Sequence, residues 1–166
     1  MKPRIEPFRR YGVQLELLEH SDLPATLAWR NRHEVRMWFK TSDVITEEQH
    51  RAWFESYLQK PDDYVFVVRV DGRPVGQVAI YAIDTLSGSA EIGRFIAAPG
   101  ESGKGYMAAA ISALLDLARD QFGLSKVCLE VLATNARAIG LYRKLGFVED
   151  GTADNDLLSF SRIIRP

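Results

Sequence analysis

A glycine-rich turn joins an apolar strand to a long amphipathic helix in the middle of the chain. The strand pattern Ala90 to Ala98 stops at Pro99, Gly100, Gly103 and Gly105 follow, and an alanine- and leucine-rich run begins at once. Glycines let successive backbone amides point into one concavity, and the positive end of the helix dipole faces the same place. The sequence therefore predicts an anion site at this turn, with phosphate as the usual occupant.

Length and composition predict one domain with a proper core, because the 166 residues are 46% hydrophobic. The net charge of -1 provides no field for nucleic acid, and the single Cys128 excludes an intrachain disulfide framework and a multi-thiolate zinc site, so we expect no metal. No stretch approaches the roughly 20 apolar residues of a membrane span, and the charged start lacks the apolar core of a signal peptide. We therefore expect a cytoplasmic protein with no membrane partner.

The N-terminal third reads as a strand and two helices. Val13 to Leu18 is short and apolar, and Ser21 to Pro24 supplies a cap and an early proline for a first helix. Thr46 to Gln49 has capping-box spacing and opens a second helix. Between the helices, the mixed aromatic and basic stretch that ends at Thr41 predicts a loop.

The rest of the chain alternates strand and helix patterns. Three apolar segments separated by short turns predict an antiparallel meander, and a helix that ends at Gly123 leads to a strand that should lie parallel to the third of them. A last helix and two closing strands complete an α/β (α+β) fold. We expect a mixed, mostly antiparallel sheet of six to seven strands flanked by about four helices. The strands are predicted over 64–70, 75–83, 90–98, 126–132, 147–151 and 157–164, and the last helix over 135–145.

The glycine turn alone allows other interpretations. Gly103, Gly105 and Ala108 also match the dinucleotide-binding fingerprint, with Glu130 near the position of its acid, but that motif should open a parallel sheet rather than follow a meander. A phosphate-binding NTPase loop needs Ser or Thr after the lysine, whereas Lys104 is followed by glycine. A turn that only links strand to helix remains possible on these residues.

A second motif narrows these alternatives, and it consists of Asn135, Ala138, Leu141, Tyr142, Gly146 and Phe147. Together with the turn, this motif closely resembles the signature of the Gcn5-related N-acetyltransferases. The resemblance runs from about Val13 to the C-terminus, which implies a single N-acetyltransferase domain over residues 1–166 with the GNAT fold. One departure is Gly100, which stands where many members carry Gln or Arg, so one side-chain contact is missing and backbone amides must serve.

The resemblance implies acetyl-coenzyme A as cosubstrate, with its pyrophosphate on the glycine turn and its pantetheine arm along the strand before it. Main-chain N–H groups around Ile96 are then the expected oxyanion donors. Asn135 should contact the pantetheine or cap the last helix. The positions carried over as cofactor contacts are Ile96, Ala97, Ala98, Ser102, Gly103, Lys104, Gly105, Tyr106, Asn135 and Tyr142.

The family reaction is direct attack of an amine on the thioester. Tyr142 occupies the general-acid position, although it could also be only a core tyrosine on the last helix. The spacing of Glu130 and Tyr142 resembles the ribosomal-protein acetylating members, in which that glutamate is the general base, and Glu91 on the preceding strand competes for this role. The resemblance therefore implies an acyltransferase whose catalytic candidates are Tyr142, Glu130 and Glu91.

The acceptor should be a small-molecule amine. Its identity is suggested by a second, weaker resemblance in the N-terminal half of the chain. Arg30, Asn31, Phe39 and His50 lie in blocks similar to acetyltransferases of nucleotide-linked amino sugars in the pseudaminic-acid pathway, where Arg30 and His50 could meet phosphates. The same residues could instead be a surface ion pair and a histidine packed against Trp53. Protein N-terminal acetylation of the ribosomal-protein type, aminoglycoside acetylation and coenzyme A binding without chemistry remain alternatives, and the chain is expected to be a monomer or homodimer.

Overall fold

A computed structural model describes residues 2–154 and 156–165 of the chain. Within these residues, eight strands form one mixed sheet in the order β1-β2-β3-β4-β5-β6-β8-β7, and five α-helices accompany it. The strands are β1 (Phe8–Arg10), β2 (Val13–Leu17), β3 (Tyr64–Val70), β4 (Arg73–Asp84), β5 (Ser89–Ala97), β6 (Lys126–Leu132), β7 (Val148–Asp154) and β8 (Leu157–Ile163). The helices are α1 (Leu23–Asn31), α2 (His33–Arg36), α3 (Glu47–Leu58), α4 (Tyr106–Phe122) and α5 (Ala136–Lys144), and a short 3-10 turn spans His20–Asp22.

The sheet has a hydrophobic cluster on each face. On one face, α4 buries a stripe of side chains that includes Ile111, Leu114 and Leu117, each fully buried. On the other face, α3 packs Phe54 and Tyr57 against alternate residues of β3. Since β3 is covered on both sides, it reads as a continuous apolar run rather than an alternating one.

Local signals in the sequence explain where the helices begin and end. The Thr46 hydroxyl accepts from the Gln49 amide at 3.1 Å, and the Gln49 side chain accepts from the Thr46 amide at 2.9 Å, so the capping box is confirmed. Gly123 ends α4 with φ of 65°, a conformation that favours glycine. The Asn135 side chain accepts from the Ala138 amide at 3.3 Å and caps α5.

The predicted fold class is confirmed, whereas the counts were low. The sheet has eight strands rather than six to seven, because β1 lies in the charged start, where only Phe8 of its three residues is buried. The fifth helix is α2, a single turn within the segment predicted as a loop. Neither element is long enough to produce a hydrophobic period. In the part of the chain that the structure describes, no helix is long and apolar enough to cross a membrane.

The meander and the parallel crossover are as predicted, and the crossover is also where the sheet opens. Strands β5 and β6 pair in parallel over three positions, from Ser89 opposite Lys126 to Glu91 opposite Cys128. Beyond Glu91 the two strands have no further ladder pairs in the described residues. The downstream half of β5 therefore keeps one edge unpaired inside the sheet.

Candidate active site

A cleft of about 1010 Å³ lies where β5 and β6 diverge. Its walls are the open half of β5, the end of β6, the glycine turn, the starts of α4 and α5, and the segment between α1 and α3. This volume is in the range of small-molecule sites. The elements singled out from the sequence therefore meet around one cavity.

The glycine turn forms the end of the cleft at the start of α4. Gly100, Gly103 and Gly105 have φ of 77°, 79° and 81°, and a Cβ added at any of them would meet nothing within 4 Å. The first three amides of α4 have no intrahelical acceptor, and Gly105 at the N-cap offers no side chain to satisfy them. Free donors and open space at one helix end suit a bound anion.

Arg73 is a basic residue beside this turn that the sequence did not single out. Its guanidinium donates to the Glu101 carboxylate at 3.0 Å and to the Tyr106 hydroxyl at 3.4 Å, while Lys104 donates to Glu101 at 3.2 Å. Two cations therefore share one carboxylate beside the free amides. Arg73 arrives from the β3–β4 hairpin, so no spacing along the chain could have linked it to the turn.

The open edge of β5 offers backbone groups to the cleft. The Ala98 amide donates to the Val75 carbonyl at 2.9 Å, and Ile96 lies opposite Gln77 in the same register. Because paired residues alternate along an antiparallel ladder, Ile96 also faces β4, whereas the amides of Phe95 and Ala97 point away from β4. The free donors are thus the neighbours of Ile96 rather than Ile96 itself.

A β-bulge at Arg94 re-aims this strand. The register between β4 and β5 shifts there, and Arg94 has φ of 55°, which is rare for a residue with a side chain. Its carbonyl accepts from the Gln77 side chain at 3.0 Å, and its guanidinium makes two hydrogen bonds to the buried Asp63. The neighbouring Gly93 was a usable signal, since an isolated glycine within a strand often marks a bulge.

Both predicted base candidates lie on one face of the sheet. Glu91 is opposite Cys128 across the parallel pair, and Glu130 follows Cys128 by two residues, so the two carboxylates project to the same side. The Glu130 carboxylate accepts from Lys40 at 2.6 Å. Burial first, and then the charge of Glu91, raise the pKa of the Tyr81 hydroxyl above its usual range. The cleft thus holds two carboxylates where the strands part.

Tyr142 lies on the cleft wall and is only 7% exposed. Its ring packs tilted against Phe95 at 5.9 Å and edge-on against Phe147 at 6.2 Å. Burial raises the pKa of the Tyr142 hydroxyl, so that it stays protonated at neutral pH. A protonated hydroxyl of this kind can serve as an acid while its ring contributes to the core.

Eight of the ten predicted cofactor positions lie on the cleft lining. The two others are close by but occupied differently: Ala98 is buried against Trp29, and Lys104 is paired with Glu101. Groups of three or more His, Cys, Asp or Glu that could hold a metal ion are absent from the described residues. The eight positions are Ile96, Ala97, Ser102, Gly103, Gly105, Tyr106, Asn135 and Tyr142.

The four predicted acceptor residues divide into two pairs. Arg30 and Phe39 line the cleft, with the Arg30 guanidinium 4.1 Å above the Phe39 ring. Asn31 instead holds the backbone of Ile45 through two hydrogen bonds of 2.7 and 2.8 Å. His50 lies off the cleft lining, stacked on Trp53 at 5.4 Å, and burial lowers its pKa. The periodicity of α3 already favoured this packing, since His50 and Trp53 are three residues apart.

Comparison with known proteins agrees with this geometry. The family model of the acetyltransferase (GNAT) domain matches residues 13–148. Spermidine N(1)-acetyltransferase of Escherichia coli K12 is 30% identical over 148 residues, which are 85% of this chain and 75% of that protein. Aminoglycoside N(6')-acetyltransferase type 1 of Klebsiella pneumoniae is 24% identical over 153 residues, 85% of this chain and 76% of its own.

A solved structure shows the same fold. The Vibrio cholerae spermidine N-acetyltransferase, in complex with CoA and spermine, superposes with a TM-score of 0.83 at 24% identity and covers 92% of this chain and 96% of its own. The family match spans most of the chain, and the cleft carries the family's two motifs on its walls. The chain therefore belongs to the GNAT acetyltransferase domain family and is an acyltransferase of the N-acetyltransferase type.

Proposed function

We propose that this chain, as a single domain, transfers the acetyl group of acetyl-coenzyme A to the primary amine of a small, anionic acceptor, and that the acceptor is a nucleotide-linked amino sugar. The cleft suits such a cosubstrate because free helix amides and two cations stand at one end and an unpaired strand edge runs from there inward. When bound, acetyl-coenzyme A supplies the activated acetyl thioester.

The chain's own residues would hold and orient both substrates. The amides that begin α4 bind the pyrophosphate, with Arg73 and Lys104 as point charges in place of the side chain that Gly100 lacks. The amides of Phe95 and Ala97 pair with the pantetheine arm and stabilise the oxyanion. Asn135 caps α5 and so stabilises the part of the cleft wall that this helix forms.

Two proton-transfer roles follow from the positions of the titratable groups. Tyr142 keeps its proton because burial raises its pKa, and it can give that proton to the departing thiolate. Glu130 and Glu91 lie on the same face where the strands part, so either can receive the proton of the acceptor's ammonium group. Glu130 already contacts an ammonium group, that of Lys40.

The proposal of an anionic acceptor depends mainly on Arg30. One terminal nitrogen of its guanidinium donates to the Thr41 carbonyl at 2.6 Å, and the other is buried without a hydrogen-bond partner in the described residues. Burial and then the charge of Arg36 lower the pKa of Arg30, so two cations lie close together at this wall. A phosphate in the cleft would compensate the positive charge of this wall.

The carboxylates of the cleft support the same choice. Three of the four glutamates on the cleft lining are in ion pairs: Glu34 with Arg32 at 3.6 Å, Glu101 with Arg73 at 3.0 Å and Glu130 with Lys40 at 2.6 Å, and Glu91 is the fourth. A polyamine or an aminoglycoside carries several positive charges and would need several unpaired carboxylates. Phosphates near Arg30 and a sugar or base against Trp38 and Phe39 suit this lining better.

An acceptor screen tests the proposal. We expect turnover with amino-sugar nucleotides and little with the free amino sugar, because the phosphates supply binding energy. Arg30→Ala should raise KM for the nucleotide sugar by about tenfold or more, since a hydrogen bond to a charged group contributes about 1.5–3 kcal/mol, and leave KM for acetyl-coenzyme A nearly unchanged. Arg51→Ala is the matched control, because Arg51 pairs with Glu47 on the surface of α3.

Spermidine, an aminoglycoside and a peptide with a free N-terminus complete the screen. Spermidine is included because a relative named for this activity is 30% identical to the chain. Efficient acetylation of spermidine or of the peptide, without activity on the nucleotide sugar, would contradict the proposed acceptor. Equal activity on the free amino sugar and its nucleotide would remove the role given to Arg30.

A further inference from the structure

Lys40 places a primary amine inside the cleft. Among the lysines of residues 2–154 and 156–165, it is the one on the cleft lining, which it shares with Tyr142 and Glu130. The reaction of this family acetylates primary amines, so the chain presents a chemically competent group at its own site.

The Lys40 amine contacts a carboxylate that is a candidate general base. Nζ lies 2.6 Å from the Glu130 carboxylate. The hydrogen bond to Glu130 comes first among the causes that raise the pKa of Lys40, and the charges of Glu91 and Asp154 add to it. Both candidate bases therefore act on this one ammonium group.

The segment that carries Lys40 is anchored on both sides of the cleft wall. Arg30 donates to the Thr41 carbonyl at 2.6 Å, and Arg36 donates to the Ser42 carbonyl at 2.8 Å. Phe39, which precedes Lys40, lies under the Arg30 guanidinium. The contact of Lys40 with Glu130 is thus supported by the fold around it, although the lysine side chain itself is 64% exposed.

We propose that Lys40 is a self-acetylation site, at which the chain modifies its own amine when no acceptor fills the cleft. Glu130 accepts a proton from the Lys40 ammonium, and the freed Nζ forms a bond to the acetyl carbonyl carbon. The carbon–sulfur bond breaks, and coenzyme A leaves as a thiolate that takes a proton from Tyr142. The acylated nitrogen gives its surplus proton to the resulting tyrosinate, and Glu130 releases its proton to solvent. An amide and free coenzyme A result, with no change of oxidation state.

The modification would change the cleft, because acetylation removes the charge of Lys40. Glu130 would lose its ion pair, and the acetyl group would stand in the acceptor half of the site. The inference rests on the proposed binding of acetyl-coenzyme A in this cleft, and the experiments below separate the two.

The first experiment locates the acetyl group on the protein. The full chain is incubated with acetyl-coenzyme A without acceptor, and acetylation is followed by intact mass and peptide mapping. We expect one acetyl group per chain, on Lys40, at a first-order rate that dilution of the protein does not change. Lys40→Arg should abolish it. Lys144→Arg is the matched control, because Lys144 is exposed on α5 and lies outside the cleft lining.

The second experiment separates assisted acetylation from simple exposure. In Glu130→Gln, the Lys40 amine loses the contact that holds its proton, so its pKa falls and it should react faster with a soluble amine reagent such as fluorodinitrobenzene, without any coenzyme A. Acetylation from acetyl-coenzyme A should instead slow by at least tenfold, because general-base assistance is lost. Opposite changes in the two rates are the expected result.

Several outcomes would overturn the inference. Acetylation spread over exposed lysines, a rate that falls on dilution, or faster acetylation in Glu130→Gln would each mean that the cleft does not direct the reaction to Lys40. Transfer to an amino-sugar nucleotide with Lys40 unmodified would overturn self-acetylation and leave the proposed function intact. Calorimetry with coenzyme A tests the binding on which both proposals depend. If coenzyme A does not bind, self-acetylation and the proposed function are both overturned.

Discussion

The guanidinium of Arg94 makes two hydrogen bonds to the carboxylate of Asp63, at 2.8 and 3.1 Å, and so connects the bulge in β5 to the start of β3. Asp63 is 4% exposed, so removal of this partner would leave a buried carboxylate without its ion pair. The pair stabilises the left-handed backbone conformation of Arg94, and the strand that follows this residue lines the cleft.

Asp63→Asn should therefore destabilise the protein and disturb the cleft together. We expect a loss of about 1–3 kcal/mol in the free energy of unfolding, because the substitution leaves a partly buried charge without its counter-ion. Urea denaturation measures the loss, and calorimetry with coenzyme A measures the effect on the strand. Asp62→Asn is the matched control, since Asp62 is the exposed neighbour. Equal stability of the two variants would contradict the role of the pair.

The glycine turn offers a test in which only charge differs. Gly105 has φ of 81°, and both Asn and Asp tolerate this conformation better than other side chains do. Gly105→Asn adds bulk, whereas Gly105→Asp adds similar bulk and a negative charge beside the free amides of α4. We expect the Asp variant to bind coenzyme A at least tenfold more weakly than the Asn variant, by calorimetry. Equal affinities would place the pyrophosphate elsewhere.

Tyr142→Phe separates the two roles of this residue. The ring and its contacts with Phe95 and Phe147 remain, but the proton for the leaving thiolate is lost. We expect kcat to fall by roughly 10²-fold or more, the usual scale of general acid catalysis, with coenzyme A affinity unchanged. Tyr64→Phe, in the core against Phe122, should leave kcat unaffected. Near wild-type turnover would make Tyr142 a packing residue only.

Because the Tyr57 hydroxyl is buried, we expect the free energy of unfolding to fall at high pH. Burial raises its pKa from 10.0 to about 12, and its hydroxyl accepts from the Val65 amide at 3.0 Å. Below pH 10 the hydroxyl is neutral in the folded and the unfolded chain alike. Above pH 10 the unfolded chain alone loses this proton, so the free energy of unfolding falls up to about pH 12, by about 2–3 kcal/mol.

Urea denaturation across this pH range measures the effect. Tyr57→Phe should lower stability at neutral pH, because the Val65 amide loses its acceptor, and should flatten the decline above pH 10. An equally steep decline in this variant would assign the alkaline loss to other tyrosines.

The elements that the sequence predicted well are those whose signals are local. The capping box at Thr46, the left-handed glycine after α4 and the strand–helix–strand crossover each depend on residues close together in the chain. The strand β1 and the single turn α2 had no such signal. They exist because tertiary packing supports them, and short elements carry little pattern of their own.

The site divides in the same way. Gly103, Gly105 and Tyr142 could be found because their motifs are contiguous. Lys40 reaches the cleft from a distant segment, and Arg73 and Asp63 likewise reach the glycine turn and the β-bulge. His50 lies off the cleft lining for a related reason: the resemblance suggested a phosphate contact, whereas the helix period turns this residue toward Trp53. Long-range contacts of this kind become visible only when the chain is folded.

The opening between β5 and β6 gives the sheet a second pair of edges, inside the molecule rather than at its rim. An exposed edge is normally a hazard, because another protein's strand can pair with it and start aggregation. Here the far wall of the opening is formed by β6 and α5. A strand from another protein would bring its own neighbouring strand about 4.8 Å behind it, and that second strand would collide with this wall. Only a slender, unaccompanied chain can reach these hydrogen bonds. The same divergence that exposes the backbone thus protects it, and selects for thin ligands by exclusion.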